Sequence, residues 1–388
     1  MEHFDENTIG KFAQLKTPFF YYDLRILDDT LAVIQQNIKD TPFVVHYAIK
    51  ANANAKVLTC IRKAGLGIDC VSGNEVKKAL ESGFQPEEIA FAGVGKTDEE
   101  ILFGLHKNIF TFNVESLAEL KVIDELAGRE GKVANIAVRL NPNVNAKTHH
   151  YITTGLEENK FGINYWELNT LFELLHQLEH IKLRGLHFHI GSQITDLSVF
   201  KTLCNRVNEL QGEFKERGIV LEHINVGGVL GVNYDNPDDE LIPDFEAFFN
   251  VFKQFLKVYP NQEVHFELGR SIVAQCASLI SKTLYIKEGI KTNFVILDAG
   301  MTELIRPALY QSFHKVENLS RLSNVNDSKY DVVGPICESS DCFGKAIDLP
   351  KTSRGDLIAI RTVGAYGEVM SSNYNLREKV ATIYRDEI

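Results

Sequence analysis

Six short stretches of this chain carry residues whose types suit covalent or electrostatic chemistry on a small molecule. Lys50 ends an apolar run in HYAIKANAN. A lysine so placed can be desolvated, which frees its amine for Schiff-base chemistry; a solvated lysine at a strand end explains it as well. His187 and His189 in LRGLHFHIGSQ share one face of a strand by alternation, with Gly191 and Ser192 following as a loop. They suit stacking on a flat cofactor or proton relay, or are hydrogen-bonded core histidines. Gly227, Gly228 and Gly231 in NVGGVLG let backbone amides approach an anion, or simply make a tight turn. Glu267, Gly269 and Arg270 in HFELGRS offer a carboxylate for a protonated ring nitrogen and a cation for an anion, or a salt bridge. Cys337 in CESSD is a candidate proton donor or a small buried residue. Arg306 and Tyr310 in LIRPALY are an anion-binding pair or surface groups.

A regular scaffold must place these residues together. Eight β-rich runs, at 43–50, 67–71, 89–93, 109–113, 134–140, 183–190, 221–226 and 263–268, alternate with amphipathic stretches. In SLAELKVIDELA, Leu117, Leu120, Ile123 and Leu126 form one helical stripe. The stretches 166–178 and 245–259 read alike. The pattern predicts an α/β fold with a (β/α)8 TIM-type barrel, whose functional residues gather at the C-terminal strand ends. Beyond Arg270 the runs are β-rich with little helical period, which predicts a C-terminal β-rich, sandwich- or barrel-like domain. The expected boundaries are a barrel at 26–265 and a β-domain at 266–388, joined by residues 1–25. The polar stretch 143–162 is a candidate lid.

Bulk properties narrow the class. A net charge of −11 disfavours nucleic-acid binding. The N-terminus lacks the basic and apolar regions of a secretory signal. No run approaches the ~20 apolar residues of a membrane span. The six cysteines are scattered without a CxxC pair, which argues against a metal site or a disulfide framework and for a reducing cytoplasm.

Taken in order, YAIKAN, HFHIGSQ, GGVLG, ELGRS, RPALY, CESSD and GAYGEVMSSNYN resemble the fold-type III, alanine racemase-like pyridoxal-phosphate decarboxylases. Among them the chain is similar to the branch that converts meso-2,6-diaminopimelate to L-lysine and CO2, the last step of lysine biosynthesis. The similarity runs from about residue 18 to residue 377. It implies that Lys50 carries pyridoxal 5'-phosphate, that His189 stacks on the ring and that Asp69 lies near the lysine. It further implies that Glu267 bonds the pyridine nitrogen, that Ser192, Gly228, Gly269 and Tyr366 hold the phosphate, and that Cys337 donates the proton. The family's sites lie at a homodimer interface, so Cys337 and Glu338 would reach the partner's site. Two positions depart from the family pattern. Val229 stands where a third glycine is usual, which predicts a rearranged phosphate loop, and Leu268 stands where proline is usual.

Substrate choice follows from charge. The far end of diaminopimelate carries a carboxylate and an ammonium. Arg270, Arg306 and Tyr310 suit the carboxylate, and Glu338 the ammonium, with Tyr366 nearby. A tail bearing only an ammonium would be repelled by the arginines. The competing readings are a decarboxylase of D-ornithine, D-lysine or carboxynorspermidine, and a non-catalytic pyridoxal-phosphate binder. The intact CESSD and the Arg306–Tyr310 pair speak against the first, and the retained proton donor against the second.

Overall fold

A computed structural model describes residues 4–144 and 160–388. The candidate lid at 143–162 therefore lies for the most part outside the described residues. The chain divides into two compact units. One comprises residues 31–231 and 244–269, the other residues 1–30, 232–243 and 270–388.

The first unit is built on a closed, all-parallel barrel of eight strands. A short strand β1 (Phe19–Tyr22) precedes them and belongs to the other unit. The barrel strands are β2 (Phe43–Ala48), β3 (Gly67–Cys70), β4 (Ile89–Phe91), β5 (Thr111–Val114), β6 (Ala134–Arg139), β7 (Ile181–His187), β8 (His223–Asn225) and β9 (Glu263–Leu268), in that order around the barrel. Alternation along β9 shows how the sequence sorts itself. Phe266 points outward and meets Phe248, Phe249 and Phe252, with ring centroids 5.0–5.7 Å apart. Those rings stand at helical spacing on Phe245–Phe255, so one stripe of that helix covers one strand face. His265 and Glu267 flank Phe266 and point the other way, into two layers of the barrel interior.

The lower layer is aromatic. His46, His223 and His265 pack with Phe110, with centroid separations of 4.8–5.9 Å. His46 Nε2 and His265 Nδ1 are 2.9 Å apart, so one carries the shared hydrogen. A Cβ at Gly185 would lie 2.4 Å from His223 Nε2, so glycine is what leaves this ring its room. Burial pushes His46 down to about 3 and His223 well below the usual histidine range.

The second unit is a strand-rich layer. Its path runs β12 (Val316–Asn318), β15 (Leu357–Ile360), β10 (Ala277–Lys287), β11 (Asn293–Leu297), β13 (Ser328–Val333) and β14 (Cys342–Leu349). β1 joins this sheet antiparallel to β10, with Phe19 opposite Ile280, and pairs in parallel with β16 (Ala381–Tyr384). Phe4, Phe12, Phe19 and Tyr21 bury themselves against Ile280, Leu319, Leu357 and Ala359. The N-terminal segment is thus a structural part of this unit.

Three expectations need correction. The expected boundary at 265/266 cuts through β9, whose last residues close the barrel against β2; the division falls after Gly269. Residues 232–243, expected within the barrel, belong to the strand-rich unit. The β-rich run expected directly after Arg270 begins only at Ala277, because Arg270–Val273 and Ala274–Cys276 are helical turns.

Candidate active site

At the C-terminal ends of the barrel strands, polar side chains converge on Glu267. Asn113 of β5 and Asn225 of β8 each donate a side-chain N–H to Glu267 Oε1, at 3.0 and 2.8 Å. His187, the last residue of β7, donates from Nε2 to Oε2 at 3.0 Å. All four side chains are buried. A carboxylate has about four lone-pair directions, so three donors leave it able to accept one more hydrogen. Burial alone would raise the pKa of Glu267. The charge and hydrogen bond of His187, with His189 and Lys50, overcome that and hold it well below the usual carboxylate range.

Asp69 on β3 behaves in the opposite way. It is 1% exposed, and neither carboxyl oxygen has a hydrogen-bond partner among the described residues. Desolvation, then repulsion from Glu267, push it well above the usual range, against the pull of Lys50. Lys50 sits in a single 3-10 turn, Ile49–Ala51, directly after β2, and its Nζ lies 3.8 Å from Asp69 Oδ2. The register of β2 on β3 pairs Ala48 with Asp69, which brings this lysine and this acid together.

β7 ends at His187, so His189 stands two residues beyond the strand. His187 turns into the barrel and serves Glu267. His189 lies in the following turn, half-buried, and desolvation, with the nearby cations Arg139 and Lys50, holds it well below the usual histidine range. Arg139 itself is locked in a buried, two-pronged pair with Glu115, at 2.8 and 3.0 Å. Ser192 is half-buried in the same turn.

The glycine loop after β8 has a steric origin. A Cβ at Gly228 would lie 1.2 Å from the carbonyl oxygen of Glu267, so only glycine lets this backbone pass. Gly227 adopts a left-handed φ of 75°. Val229 does not rearrange the loop in the way its missing glycine predicts. It is not among the positive-φ residues, its side chain is buried and its carbonyl accepts from the Ile194 amide at 2.9 Å. Gly269 packs against Ala48 and Ala51, the neighbours of Lys50, and Leu268, in place of proline, ends β9 fully buried.

In the strand-rich unit, a second cluster gathers cations. Arg270 and Arg306 are both buried, and each donates from Nη1 to the phenol oxygen of Tyr234, at 2.7 and 2.9 Å. Their charges pull Tyr234 below the usual phenol range despite its burial. Tyr366 lies beneath Arg270, with the guanidinium carbon 5.0 Å from the ring centroid. Its φ of 59° is a left-handed conformation that a bulky residue rarely adopts. Arg306 opens the short helix Arg306–Tyr310, with Pro307 in its first turn and Tyr310 half-buried at its end.

Cys337 is exposed, contrary to the buried alternative. It lies on a tight turn pinned by the buried Asp341, whose carboxylate accepts from the Ile336 and Met301 amides at 2.6 Å each. Glu338, next in the chain, accepts a hydrogen bond from Tyr374 at 2.8 Å.

Sequence reasoning thus named Lys50, Asp69, His189, Ser192, Gly228, Glu267 and Gly269 in the barrel unit, and Arg270, Arg306, Tyr310, Cys337, Glu338 and Tyr366 in the other. It missed Asn113, Asn225, Tyr234 and His314. The two asparagines carried a usable signal: each closes an otherwise apolar strand run, IFTFN and LEHIN.

Comparison with known proteins agrees with this chemistry. Residues 27–274 match the family described as pyridoxal-dependent decarboxylase, pyridoxal binding domain. A diaminopimelate decarboxylase of Bacteroides thetaiotaomicron is 56% identical over 381 residues, covering 98% of each chain. One of Haemophilus influenzae is 40% identical over 96% of this chain and 89% of its own. The crystal structure of diaminopimelate decarboxylase from Helicobacter pylori complexed with L-lysine matches with a TM-score of 0.90 at 38% identity, over 97% of this chain and 93% of that one. The lysine/ornithine decarboxylase of Vibrio vulnificus, at 21% identity and a TM-score of 0.84, shares the fold. With a lysine beside a buried acid, an ionised glutamate in the barrel mouth and this full-length similarity, the chain belongs to the diaminopimelate decarboxylase family of pyridoxal-dependent decarboxylases.

Proposed function

We propose that this chain decarboxylates meso-2,6-diaminopimelate to L-lysine with pyridoxal 5'-phosphate held on Lys50. The observation that carries the reading is Glu267, a buried glutamate kept ionised by three donors with one acceptor direction to spare. The barrel mouth fits the cofactor. Lys50 offers an amine, and 3.8 Å from it Asp69 is a buried acid whose oxygens have no hydrogen-bond partner among the described residues. When bound, the cofactor supplies an electron sink for the carbanion left by loss of CO2.

The protein's residues divide the remaining work. Lys50 would hold the cofactor through its amine. Glu267 would accept the pyridine N–H, with His187, Asn113 and Asn225 fixing its carboxylate. His189 would lie against the ring. The Ser192 hydroxyl, the Gly228 and Gly269 backbone and Tyr366 would hold the phosphate. Arg270, Arg306 and Tyr310 receive the distal carboxylate, and Glu338 the distal ammonium. Cys337 returns a proton to the reacting carbon. Cys337 and Glu338 act on the site of a second subunit, so the working form is a homodimer, in the cytoplasm.

Borohydride reduction followed by peptide mapping tests the attachment. The label belongs on the peptide containing Lys50, and Lys50→Ala should lose both label and turnover. A normal rate in Lys50→Ala would overturn the reading. Mixing inactive Lys50→Ala and Cys337→Ala subunits should restore activity through heterodimers, and verified heterodimers without activity would refute the shared site.

A further inference from the structure

We infer that His314 is a positioning residue for substrate recognition: its imidazole docks one edge of Arg306 and so fixes the guanidinium for the distal carboxylate. This rests on the reading that Arg306 receives that carboxylate.

His314 is fully buried between two fixed partners. Its Nδ1 lies 2.9 Å from the Arg361 carbonyl oxygen, which can only accept, so Nδ1 carries the hydrogen. Nε2 is therefore a lone pair, and it accepts from Arg306 Nη1 at 2.9 Å. The backbone of β15's end thereby sets the tautomer, and the tautomer sets the arginine. The same Nη1 also donates to Tyr234. Its two hydrogens are both used for bracing, which leaves the rest of the guanidinium fork for a ligand. Tyr234 completes the brace. Its ring meets His314 edge-on, with centroids 5.0 Å apart at 73°, and lies 4.8 Å from the Arg306 guanidinium carbon.

The choice of histidine has a physical reason. A carboxylate in this position would neutralise Arg306 and compete with the substrate for it. An apolar residue would leave the buried Nη1 hydrogen without an acceptor. A neutral imidazole accepts one hydrogen bond, keeps the charge of Arg306 uncancelled, and resists protonation, because burial and then Arg306 push it down to about 3. A fixed guanidinium has less freedom to lose when it grips a carboxylate.

Three variants, assayed as cofactor-saturated enzyme with meso-diaminopimelate, separate this from a structural role. His314→Phe keeps a ring but removes the acceptor. His314→Asn keeps a donor for Arg361 but does not reach Arg306. His314→Gln offers an oxygen near the Nε2 position. The first two should raise KM by about tenfold or more, with kcat within about threefold and cofactor absorbance unchanged. Glutamine should recover most of the loss. If Arg306→Ala raises KM and the Phe and Asn variants do not, the positioning role of His314 is wrong. If Arg306→Ala itself leaves KM unchanged, the carboxylate assignment fails and this inference fails with it. Equal KM increases in all three variants, scaling with loss of Tm, would reduce His314 to a packing residue.

Discussion

Asp69 and Glu267 are two buried acids of one barrel mouth whose protonation is driven in opposite directions. Glu267 has three donors and stays ionised; Asp69 has no hydrogen-bond donor among the described residues, and desolvation and then the like charge of Glu267 push it well above the usual carboxylate range. Environments that split the protonation of two like groups are how one site keeps an acid and a base together.

The split predicts the behaviour of the cofactor-free protein. Asp69→Asn replaces a buried acid, whose ionisation is penalised, by a neutral amide of the same shape. It removes the cost of protonating that acid on folding, so at pH 7 it should leave the unfolding free energy unchanged or raise it. A Glu267→Gln variant places an N–H against donors and should cost about 2–4 kcal/mol. Urea unfolding of both variants reads the difference. A larger loss for Asp69→Asn than for Glu267→Gln would reverse the assignment of charge.

Glu267→Gln should also weaken catalysis, because a neutral amide cannot hold the pyridine nitrogen protonated. Loss of one charge-assisted hydrogen bond of about 1.5–3 kcal/mol corresponds to a fall in kcat of about ten- to a hundredfold. Steady-state kinetics at saturating cofactor checks it, and an unchanged kcat would remove Glu267 from the mechanism.

Gly228 and Val229 should respond in contrasting ways. Gly228→Ala forces a methyl group to within 1.2 Å of the Glu267 carbonyl oxygen, and the backbone must move. The loss should exceed about 4 kcal/mol and be visible as insoluble protein or a collapsed Tm. Val229→Gly, which restores the family's glycine, should instead cost about 1.5–3 kcal/mol through its lost burial. It should bring no gain in cofactor affinity. Tighter cofactor binding in Val229→Gly, by fluorescence titration, would show that the valine does perturb the loop.

The buried histidines predict an acid-sensitive fold. His46 and His223 are held neutral when folded and take up a proton when unfolded, near pH 6.5. Their folded pKa values are depressed, so the unfolded chain binds more protons as pH falls below that value. Stability therefore drops through the window from about 6.5 towards 3, by up to about 1.4 kcal/mol per pH unit for each histidine. Chemical unfolding at pH 7, 6, 5 and 4 measures the slope. His46→Gln should flatten it, and an unaltered slope would mean that His46 does not carry the effect.

The barrel was readable because its strands are short β-branched and aromatic runs separated by stripes such as Phe245, Phe248, Phe249 and Phe252. That period survives any tertiary context. Lys50 and Glu267 were readable because they interrupt such runs at their C-terminal ends, and Asp69 only through the resemblance to the decarboxylase family. Asn113, Asn225 and His187 meet only when the barrel closes, from positions 154, 42 and 80 residues before Glu267 in the chain; each stands at or beside a strand end, but nothing local announces that they converge. Tyr234 and His314 were hidden for a related reason. Each sits in a loop whose packing partners, Arg270, Arg306 and Arg361, come from elsewhere in the sequence. The boundary was misplaced at 265/266, inside the run 263–268 that itself read as one strand.

The most direct test is CO2 release from purified protein with added pyridoxal 5'-phosphate. Meso-diaminopimelate, L- and D-ornithine and L- and D-lysine would be assayed in parallel, with amino-acid products identified by chromatography. The account predicts release with meso-diaminopimelate alone and L-lysine as the product. Release with ornithine or lysine but not with diaminopimelate would contradict the role given to Arg270 and Arg306, and no release with any of them would contradict the decarboxylase itself.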